Sequence, residues 1–492
     1  MTATFRDLGV ELLPDVGRTV ARLFLPGEGI MPARSRAGDI VQRIVDMPPA
    51  EVDAAAAEIL AEFGDRHEEL RGILEHHAQT VVFRSRTPHL VEGSRAIVIG
   101  AAFTAEHSVE AAALCNPSAV PHPDQSGLAK GELRLAVALR SIGEGHVSSI
   151  GFASAIVGPG KAWRFEKRKL PAVAPVITEG SWSRARLREA LEMEGRLNEL
   201  SGAVVRALPK KFRSSEIELA ISAVPAELGR WREPHVDLDT IRTMAWSAYE
   251  ATFDEGTDLS QRVILPVAAG EVNGIEDARF VVYTHDDGTV EYKASYTAYD
   301  GRSIAPRLIQ SPDLRTFTMH RLTGRAAVNK GMAFFPRAIN GLDWALTRTD
   351  GENISIAKSK NGLHWTRVGV LHRPTELWEV VQLGNCGSPI ETDRGWLVIT
   401  HGVGPMRQYA ISALLLDLDD PTRVIARLHE PMLEPHGDLR EGYVPNVVYS
   451  CGGIVHDGTV WLPYGVGDQR VRAGAIDLTE LLDSMTPVNG KA

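Results

Sequence analysis

Apolar residues recur at three- and four-residue spacing in two parts of the chain. In residues 38–80, Ile59 and Phe63 fall on one helical face together with neighbours at the same spacing. In residues 181–250, Leu187 begins a similar stripe of leucines and valines. This spacing matches the 3.6-residue period of an α-helix. It predicts an N-terminal helical segment and a helical insertion further along the chain.

A different pattern, short β-branched runs ended by Gly, Pro, Asn or Asp, starts near residue 96 and dominates from residue 260 onward. There, the segments QSPDLRTF and KSKNGLHW place Ser311 with Ser359, and Phe317 with Trp365, 48 residues apart. A period of about 40 to 50 residues is typical of a four-stranded propeller blade. The repeat favours a β-propeller, and a β-sandwich with aromatic residues at the same spacing is the alternative.

The composition limits the classes of protein to which the chain can belong. With 44% hydrophobic and 24% charged residues among 492, it is typical of a folded globular protein. A formal net charge of -10 argues against a general nucleic-acid binder, because phosphate backbones need clustered Lys and Arg. Neither an apolar run of about 18 residues nor a basic leader segment occurs. We therefore expect a cytoplasmic protein with no membrane partner.

The residue types that bind metals and cofactors do not occur at the spacing that such sites require. Cys115, Cys386 and Cys451 lie far apart without a CxxC pair, which argues against a disulfide framework or a zinc site. The sequence contains no GxGxxG after a strand, no GxxxxGK[ST], no HExxH and no GxSxG. We expect no metal and no organic cofactor.

One candidate for acid–base chemistry is the segment NGIEDARF between two predicted strands. It places Glu276 and Asp277 next to Arg279. A carboxyl group at the mouth of a propeller channel can act as a general acid if burial raises its pKa. A salt-bridged turn is the simpler interpretation, and the residues alone favour it.

A candidate anion site follows in NKGMAFFPRAINGLDWALTRTDGEN. Lys330, Arg337 and Arg348 lie close in sequence, with the two arginines on successive strands of a predicted hairpin. Two guanidinium groups that converge on one point can bind a phosphate through paired hydrogen bonds. Solvated surface arginines are the equal alternative. His401, after the apolar run WLVIT, is by itself more typical of a core or turn residue than of a reactive one.

Seven segments of the chain resemble, in the same order, the motifs of glycoside hydrolase family 130, the mannoside phosphorylases and β-1,2-mannosidases. They are ALCNPSAV (113–120), GIEDARF (274–280), FFPRAING (334–341), GSPIETDRGWLVITHGV (387–403), LLLDLDDPTRVIARL (414–428), VPNVVYSCG (444–452) and LPYGVGD (462–468). The resemblance spans residues 90–475 apart from the helical insertion, and it implies a five-bladed β-propeller.

The pattern and the resemblance together predict an all-β protein with helical additions. The five-bladed β-propeller is expected at residues 91–478, with the helical insertion at about 181–250. An N-terminal helical extension occupies residues 1–90 and a C-terminal tail residues 479–492. The helical parts are expected to cap one face or to form a homo-oligomer interface.

The resemblance also implies roles for individual residues. Asp277 would be the general acid, protonating the leaving oxygen through a sugar hydroxyl. The implied mannose-binding residues are Asn116, Arg140 and Asp468. The implied phosphate-binding residues are Arg337, Arg348, His401 and Tyr409. In such phosphorylases phosphate attacks the anomeric carbon in line, so that one carboxyl group suffices and the product is α-mannose 1-phosphate.

The chain departs from the family pattern at two positions. Ala278 replaces the proline after the acid, and Gln382 replaces a lysine that binds phosphate. Losing one charge-assisted contact costs about 1.5 to 3 kcal/mol of phosphate binding, and Lys330 is a candidate replacement.

Three reactions or roles follow from these residues. Phosphorolysis of β-mannooligosaccharides, with inorganic phosphate as co-substrate, is favoured because both arginines, the histidine and the tyrosine are present. Hydrolysis by an inverting β-1,2-mannosidase is the alternative, and it needs a second carboxylate as general base. The candidates for that base are Glu352, Glu391 and Glu441. A sugar-binding propeller without activity is the third hypothesis.

Overall fold

The computed structural model describes residues 4–25, 36–85, 91–225 and 234–488, which form two compact units. The larger unit comprises Met1–Pro14, Ala112–Arg168 and Pro175–Ala492, and the smaller unit comprises Asp15–Ala111 with Lys169–Ala174. The boundary therefore falls near residue 111, and not at residue 90 as predicted.

The smaller unit consists of helices and one hairpin. Its elements are β2 (Thr19–Leu23), α1 (Arg36–Val45), α2 (Pro49–Phe63), α3 (Leu70–Ser85), α4 (Gly93–Ala102) and β3 (Thr104–Ser108). Pro49 opens α2, because proline is tolerated at the first helical position. The predicted helical segment is confirmed as three separate helices followed by a fourth.

The larger unit consists mostly of strands. Five antiparallel sheets of four to six strands lie within its described residues. We number them I to V in the order of their strands along the chain, leaving aside the N-terminal strand, which joins sheet V. Sheet I contains β4 (Ala113–Pro121), β5 (Leu133–Ile142), β6 (Ser148–Gly158), β7 (Ala162–Phe165) and β12 (Val263–Ile264). Sheet II contains β8 (Val176–Glu179), β11 (Tyr249–Thr252), β13 (Ile275–Thr284), β14 (Val290–Tyr299), β15 (Ile304–Ser311) and β16 (Thr316–Arg321).

The other three sheets follow along the chain. Sheet III contains β17 (Ala333–Phe334), β18 (Asp343–Thr347), β19 (Ile354–Ser359) and β20 (Thr366–His372). Sheet IV contains β21 (Gln382–Asn385), β22 (Ile390–Thr392), β23 (Gly395–Val403), β24 (Tyr409–Leu416), β25 (Val424–Arg427) and β30 (Thr486–Pro487). Sheet V contains β26 (Val448–Tyr449), β27 (Ile454–His456), β28 (Thr459–Val466), β29 (Arg470–Asp477) and β1 (Arg6–Leu12).

Two ends of the chain are placed differently from the prediction. β1 pairs with β29 in the larger unit, although residues 6–12 were assigned to a helical extension. The predicted tail instead forms α9 (Leu478–Ser484) and β30, which pairs with β25. Residues 489–492 lie outside the described residues.

The helical insertion interrupts a pair of edge strands in sheet II. It contains β9 (Ser181–Ser183), α5 (Arg184–Met193), α6 (Glu199–Ala207), β10 (Lys211–Arg213), α7 (Glu216–Ser222) and α8 (Pro234–Ala245). β8 and β11, which flank it, pair with each other. Leu187 and Leu191 of the predicted stripe are buried in a core that belongs to the insertion itself, which confirms the helical prediction.

The 48-residue repeat matches equivalent positions of two sheets. Ser311 ends β15, the third strand of sheet II counted across the sheet from β13, and Ser359 ends β19, the third strand of sheet III counted from β17. After each of them an Asx side chain accepts two backbone N–H groups: Asp313 in one turn and Asn361 in the other. The repeat therefore records one supersecondary unit used twice.

Apolar cores fill the spaces between neighbouring sheets. One cluster joins sheets III and IV through Phe335, Leu346, Trp396 and Leu414. Another joins sheets IV and V, and a third joins sheets I and V. β23 is buried along its whole length, which agrees with its unbroken apolar run.

Backbone hydrogen bonds link each sheet to the next. Gly274, just before sheet II, forms a parallel bridge with Ser148 of sheet I. The N–H of Thr284 in sheet II donates to Pro336 beside sheet III at 2.8 Å, and the N–H of Leu383 in sheet IV donates to Glu352 beside sheet III at 2.9 Å. Two further bonds connect sheet IV to sheet V and sheet V back to sheet I: Tyr409 N–H to Asn446 and Cys451 N–H to Pro117.

No helix in the described ranges has the length and apolar character that a membrane crossing requires.

Candidate functional site

Asp277 and Asn116 occupy matching positions near the starts of β13 and β4. The strand register shifts around each of them, and both have positive φ values, 56° and 49°. Such a bulge redirects a side chain out of the normal alternation of the strand. Both side chains are buried, and Asn116 Nδ2 donates to Asp277 Oδ1 at 2.6 Å. The two bulges therefore bring the predicted acid and a predicted mannose ligand together.

Arg140 and Asp468 complete the group around Asp277. Arg140, near the end of β5, donates from Nη2 to Glu276 Oε1 at 2.6 Å, and its Nη1 lies 3.6 Å from Asp277 Oδ1. Asp468 lies in the turn between β28 and β29 with a φ of 48°, and it interacts electrostatically with Arg140 and Asp277. The predicted mannose-binding residues thus surround the predicted acid.

The pKa of Asp277 lies below its usual value. Burial raises this pKa, but the surrounding charges and one hydrogen bond lower it by more. The groups that lower it are Arg140, Arg279, Lys330 and the amide of Asn116. The carboxyl group is therefore ionised in the free enzyme at neutral pH.

The two neighbouring carboxyl groups behave in the opposite way. Burial raises the pKa of Glu276 and of Asp468, and the negative charge of Asp277 adds to both shifts. Arg140 opposes these shifts without reversing them. The same cations thus surround three carboxyl groups, and only the pKa of Asp277 among them is lowered.

Arg348 and His401 form a second group beside the first. They lie at the ends of β18 and β23, and Arg348 Nη1 donates to His401 Nε2 at 3.1 Å. Burial lowers the pKa of His401 well below its usual value, and the charge of Arg348 lowers it further. His401 is therefore neutral, with its hydrogen on Nδ1, because a guanidinium group only donates.

Tyr449 and Arg279 connect the two groups. The ring of His401 lies 4.7 Å from that of Tyr449 and stacks at 6.2 Å on that of Tyr409. Arg279 Nη2 donates to the Tyr449 hydroxyl at 2.8 Å and lies 3.9 Å from Asp277 Oδ2. Since the hydroxyl oxygen accepts from Arg279, its hydrogen is available for another acceptor.

Lys330 and Gln382 both lie near the second group. The charge of Lys330 lowers the pKa of both Asp277 and His401, which puts it close to both groups. Gln382 shares a face of β21 with Gly384, because side chains alternate along a strand. A Cβ on Gly384 would lie 2.5 Å from the ring of His401. The position that lacks the family lysine therefore lies on the same face of sheet IV as His401.

Arg337, predicted to bind phosphate, lies elsewhere. Its guanidinium group forms a two-pronged ion pair with Glu391, at 2.9 and 2.5 Å, and lies over the ring of Trp396. Trp396 is five residues before His401 on β23, so the two are about 16 Å apart along the strand. The predicted convergence of Arg337 with Arg348 is wrong, because the hairpin between them places the two arginines at opposite ends of sheet III.

The three candidate bases for hydrolysis are exposed side chains. The carboxylate of Glu391 forms an ion pair with Arg337. Glu352 and Glu441 lie in surface turns, and neither carboxylate has an ion pair within the described residues. The structure instead places Glu276 and Asp468 next to Asp277.

The sequence indicates no role for Tyr449, and it indicates Glu276 only as the neighbour of Asp277 in NGIEDARF. Glu276 stands in the same motif as Asp277, so its proximity could have been inferred from the motif. Tyr449 stands on a strand of two residues, too short for a periodicity to indicate its direction.

Several buried polar atoms of the site have no protein partner among the residues described. They are Asn116 Oδ1, Arg348 Nε and Oδ1 of Asn385, which follows Gly384 on β21 beside His401. Buried polar groups are normally hydrogen-bonded, so the site is suited to a ligand rich in polar atoms. Within the described ranges no group of His, Cys, Asp and Glu has the arrangement of a metal site.

Comparison with known proteins identifies the family. The model of a family described as beta-1,4-mannooligosaccharide phosphorylase, glycoside hydrolase family 130, matches residues 255–487. A beta-1,2-mannobiose phosphorylase of Thermoanaerobacter sp. is 33% identical over 226 residues, which cover 44% of this chain and 72% of that protein. The chain belongs to glycoside hydrolase family 130.

Two other curated relatives of this family 130 chain are matched over less of their length. The 1,2-beta-oligomannan phosphorylase of Thermoanaerobacter sp. is 37% identical, over 31% of this chain and 52% of that protein. The beta-1,2-mannobiose phosphorylase of Listeria innocua is 32% identical, over 43% of this chain and 60% of that protein. The chain thus spans about half to two-thirds of these two relatives.

The matched residues include Asp277, Lys330, Arg348, His401 and Tyr449. Asn116 and Arg140 precede the match, and only the fold brings them to the family 130 site.

Proposed function

We propose that this family 130 chain cleaves terminal β-1,2-mannosidic bonds by phosphorolysis, with inversion, and releases α-mannose 1-phosphate. The observation that carries the proposal is the joint placement of a buried carboxyl group, Asp277, and a buried cationic group, Arg348, connected through Arg279 and Tyr449. The named activities of the curated relatives support phosphorolysis and the 1,2 linkage.

In this proposal the two groups of the site divide the reaction. Asn116, Arg140 and Asp468 hold the mannosyl unit, and Asp277 protonates the leaving oxygen through a sugar hydroxyl. Phosphate is bound by Arg348, His401, Tyr409 and Tyr449, with Lys330 nearby. A phosphate oxygen forms a bond to the anomeric carbon, the glycosidic bond breaks, and the proton passes to the departing sugar. No metal or organic cofactor takes part.

The low pKa of Asp277 fits this sequence of events. In the free enzyme Asp277 is ionised and has no proton to give. A phosphate dianion bound near the same cations offsets part of their charge and disfavours a second negative charge. Phosphate binding therefore raises the pKa of Asp277, and the proton arrives together with the nucleophile.

We also propose that the five sheets are the blades of a five-bladed β-propeller. The backbone links between successive sheets, including the one from sheet V back to sheet I, support a closed ring. Each sheet also contributes a site residue from its innermost strand or the segment preceding it: Asn116, Asp277, Lys330, Gln382 and Tyr449. The three buried free thiols support a reducing, cytoplasmic location.

The test compares cleavage of β-1,2-mannobiose with and without millimolar phosphate, and the products are identified by NMR. We expect cleavage only with phosphate, and α-mannose 1-phosphate as the product. Asp277→Asn should abolish cleavage of this unactivated substrate, because it removes the transferable proton and keeps the shape. Free α-mannose formed at the same rate without phosphate would instead establish an inverting mannosidase, with Glu276 or Asp468 as the first bases to test.

Two arginines provide a matched pair of variants. Arg348→Ala should raise the phosphate concentration needed for half-maximal rate about tenfold or more, because a charge-assisted hydrogen bond is lost. Arg337→Ala should leave the phosphate requirement unchanged, because Arg337 is paired with Glu391 at the other end of sheet III. An equal effect of both substitutions would contradict the assignment of the anion site.

A further inference from the structure

A buried carboxylate, that of Glu271, lies in the segment just before β13, the strand that carries the proposed acid. The exposed fraction of Glu271 is 0%. Its Oε2 accepts the hydroxyl of Tyr249 and the N–H groups of Val267 and Ala268, each at 3.0 Å. Its Oε1 accepts the hydroxyl of Tyr296 at 2.6 Å. These hydrogen bonds hold in place a carboxylate that has no part in the proposed reaction.

A buried arginine balances the charge of Glu271. Arg307 Nε lies 3.7 Å from Glu271 Oε1, and Arg307 Nη1 donates to the carbonyl of Ser247 at 2.9 Å. Burial raises the pKa of the hydroxyl groups of Tyr249 and Tyr296 well above the usual value, so both keep their hydrogens and donate. We call Glu271, Arg307 and the two tyrosines the Glu271 cluster. A buried polar network with this many hydrogen bonds is rigid.

The Glu271 cluster fixes the backbone that leads into β13. The N–H of Gly274 donates to the carbonyl of Glu271 at 2.7 Å, and the N–H of Tyr299 donates to the carbonyl of Gly274 at 3.0 Å. Gly274 has a φ of 129°, and a Cβ there would lie 2.8 Å from the backbone N of Ser148, so a side chain would clash with sheet I. Asp277 follows three residues later, and its place therefore depends on this turn.

A second connection from the turn to the acid passes through Arg140. Ser148, which forms the parallel bridge with Gly274, accepts a hydrogen bond on its Oγ from Arg140 Nε at 3.0 Å. Arg140 in turn donates to Glu276, and its Nη1 lies 3.6 Å from Asp277 Oδ1. A shift of the turn at Gly274 would therefore move both the backbone before Asp277 and the arginine beside its carboxylate.

We propose that Glu271 is a positioning residue for the general acid, and that Tyr249 and Tyr296 act through it. All three are buried, and they act on the backbone from which Asp277 reaches the substrate. This inference rests on the proposed function, since it assigns the Glu271 cluster to the acid of the same site. Tyr249 begins β11, directly after the helical insertion, so the cluster also connects the base of the insertion to the acid.

The experiment compares two substrates that differ in their need for the acid. The leaving sugar of β-1,2-mannobiose must be protonated, whereas the leaving group of 2,4-dinitrophenyl β-mannoside needs little protonation. The values of kcat and KM are measured at saturating phosphate in the wild type, Tyr249→Phe and Tyr296→Phe. Each substitution should lower kcat for mannobiose about tenfold, because a small misplacement of a reacting group is costly. The KM for mannobiose and the kcat for the aryl mannoside should stay unchanged.

Tyr292→Phe is the matched control. Tyr292 lies on β14, as Tyr296 does, and its hydroxyl donates to the carbonyl of Pro121 at 3.0 Å. Its loss should cost a similar amount of stability and leave kcat for both substrates unchanged. Glu271→Gln should lower kcat for mannobiose more than either tyrosine substitution. The tyrosine variants keep the carboxylate and its ion pair with Arg307, so they test the inference even if Glu271→Gln does not fold.

The outcomes separate this inference from the proposed function. If Tyr249→Phe and Tyr296→Phe change kcat for both substrates equally, or change neither, the Glu271 cluster does not position the acid. If the wild type cleaves mannobiose equally well without phosphate, the proposed function is wrong, and the same comparison with water as the nucleophile still tests the cluster. If it cleaves neither substrate, hydrogen exchange of residues 267–277 decides. Exchange should be faster in the two tyrosine variants than in Tyr292→Phe, and equal rates would refute the inference.

Discussion

At the scale of single residues, the main feature of the site is that Asp277, the proposed general acid, is kept ionised. A carboxyl group that donates a proton at neutral pH usually has a raised pKa. Asp277 has a lowered one, because the cations around it outweigh its burial. Burial and the charge of Arg348 keep His401 neutral, and the same cations, Arg279 and Lys330, lower its pKa further. Arg279 and Lys330 therefore couple Asp277 electrostatically to the proposed anion site.

This coupling predicts that phosphate binding takes up protons. A dianion near Arg279 and Lys330 should raise the pKa of Asp277, so that protons are bound with the phosphate. Calorimetric titration with phosphate in buffers of different ionisation enthalpy measures the number of protons. The number should be positive near neutral pH and smaller in Asp277→Asn. Identical uptake in both proteins would show that Asp277 is not coupled to the anion site.

Tyr449 is predicted to donate a hydrogen bond to the phosphate. Tyr449→Phe should raise the KM for phosphate about tenfold, since a hydrogen bond to a charged group contributes about 1.5 kcal/mol or more, and leave the KM for mannobiose unchanged. Steady-state kinetics with both substrates varied provides the two values. Tyr292→Phe, which removes a hydroxyl bonded to the carbonyl of Pro121, is the control and should change neither. A change in the KM for mannobiose alone would assign Tyr449 to the sugar instead.

At the scale of secondary-structure elements, the site depends on irregular strands. β4 and β13 each contain a bulge, and the residues at the bulges, Asn116 and Asp277, have left-handed backbone conformations. Asparagine and aspartate tolerate this region better than most residues, but they do so at some energetic cost. The strands therefore give up regular pairing to direct functional side chains.

This strain predicts different stabilities for two inactive variants. Asn116→Gly should be more stable than Asn116→Ala by about 1 kcal/mol, because glycine has no Cβ to oppose the left-handed conformation. Both variants should lose most of the activity, since both lose the hydrogen bond to Asp277. Urea-induced unfolding of the two proteins gives the difference in free energy. A more stable Asn116→Ala would mean that the bulge is not strained.

At the scale of the whole chain, residues far apart in sequence meet repeatedly. β1, from the first residues, is the outer strand of sheet V beside β29, and β30 completes sheet IV. Buried polar groups within such packed layers make stability depend on pH. His320, in β16, is a half-buried example: burial, together with the charge of Arg186 in the insertion, lowers its pKa to about 4.

His320 predicts a loss of stability in mild acid. Its pKa in the folded state is about 4, whereas the ordinary value is 6.5, so the unfolded state binds more protons between these values. The contribution of neutral His320 to the free energy of unfolding is complete above pH 6.5 and is lost as the pH falls towards 4. Over this pH range the free energy of unfolding of His320→Leu should fall by about 2 kcal/mol less than that of the wild type. Urea titrations at several pH values check this, and parallel curves for the two proteins would contradict it.

The sequence by itself determined the elements and most of the chemical groups. Helical spacing indicated the two helical blocks, and the 48-residue repeat indicated equivalent turns after Ser311 and Ser359. These features depend on contacts within a few residues, which local patterns record. Ordered motifs also indicated Asp277 and His401, because each residue stands in a recognisable segment.

Only the tertiary structure decided which of these groups meet. Arg337 and Arg348 lie eleven residues apart, yet a hairpin separates them by the length of a strand, whereas Asn116 and Asp277 lie 161 residues apart and share a hydrogen bond of 2.6 Å. The direction of a side chain at a bulge, and the pairing of Arg337 with Glu391, depend on strands from different sheets. The pKa of Asp277 likewise depends on charges from three sheets, and no local pattern contains that sum.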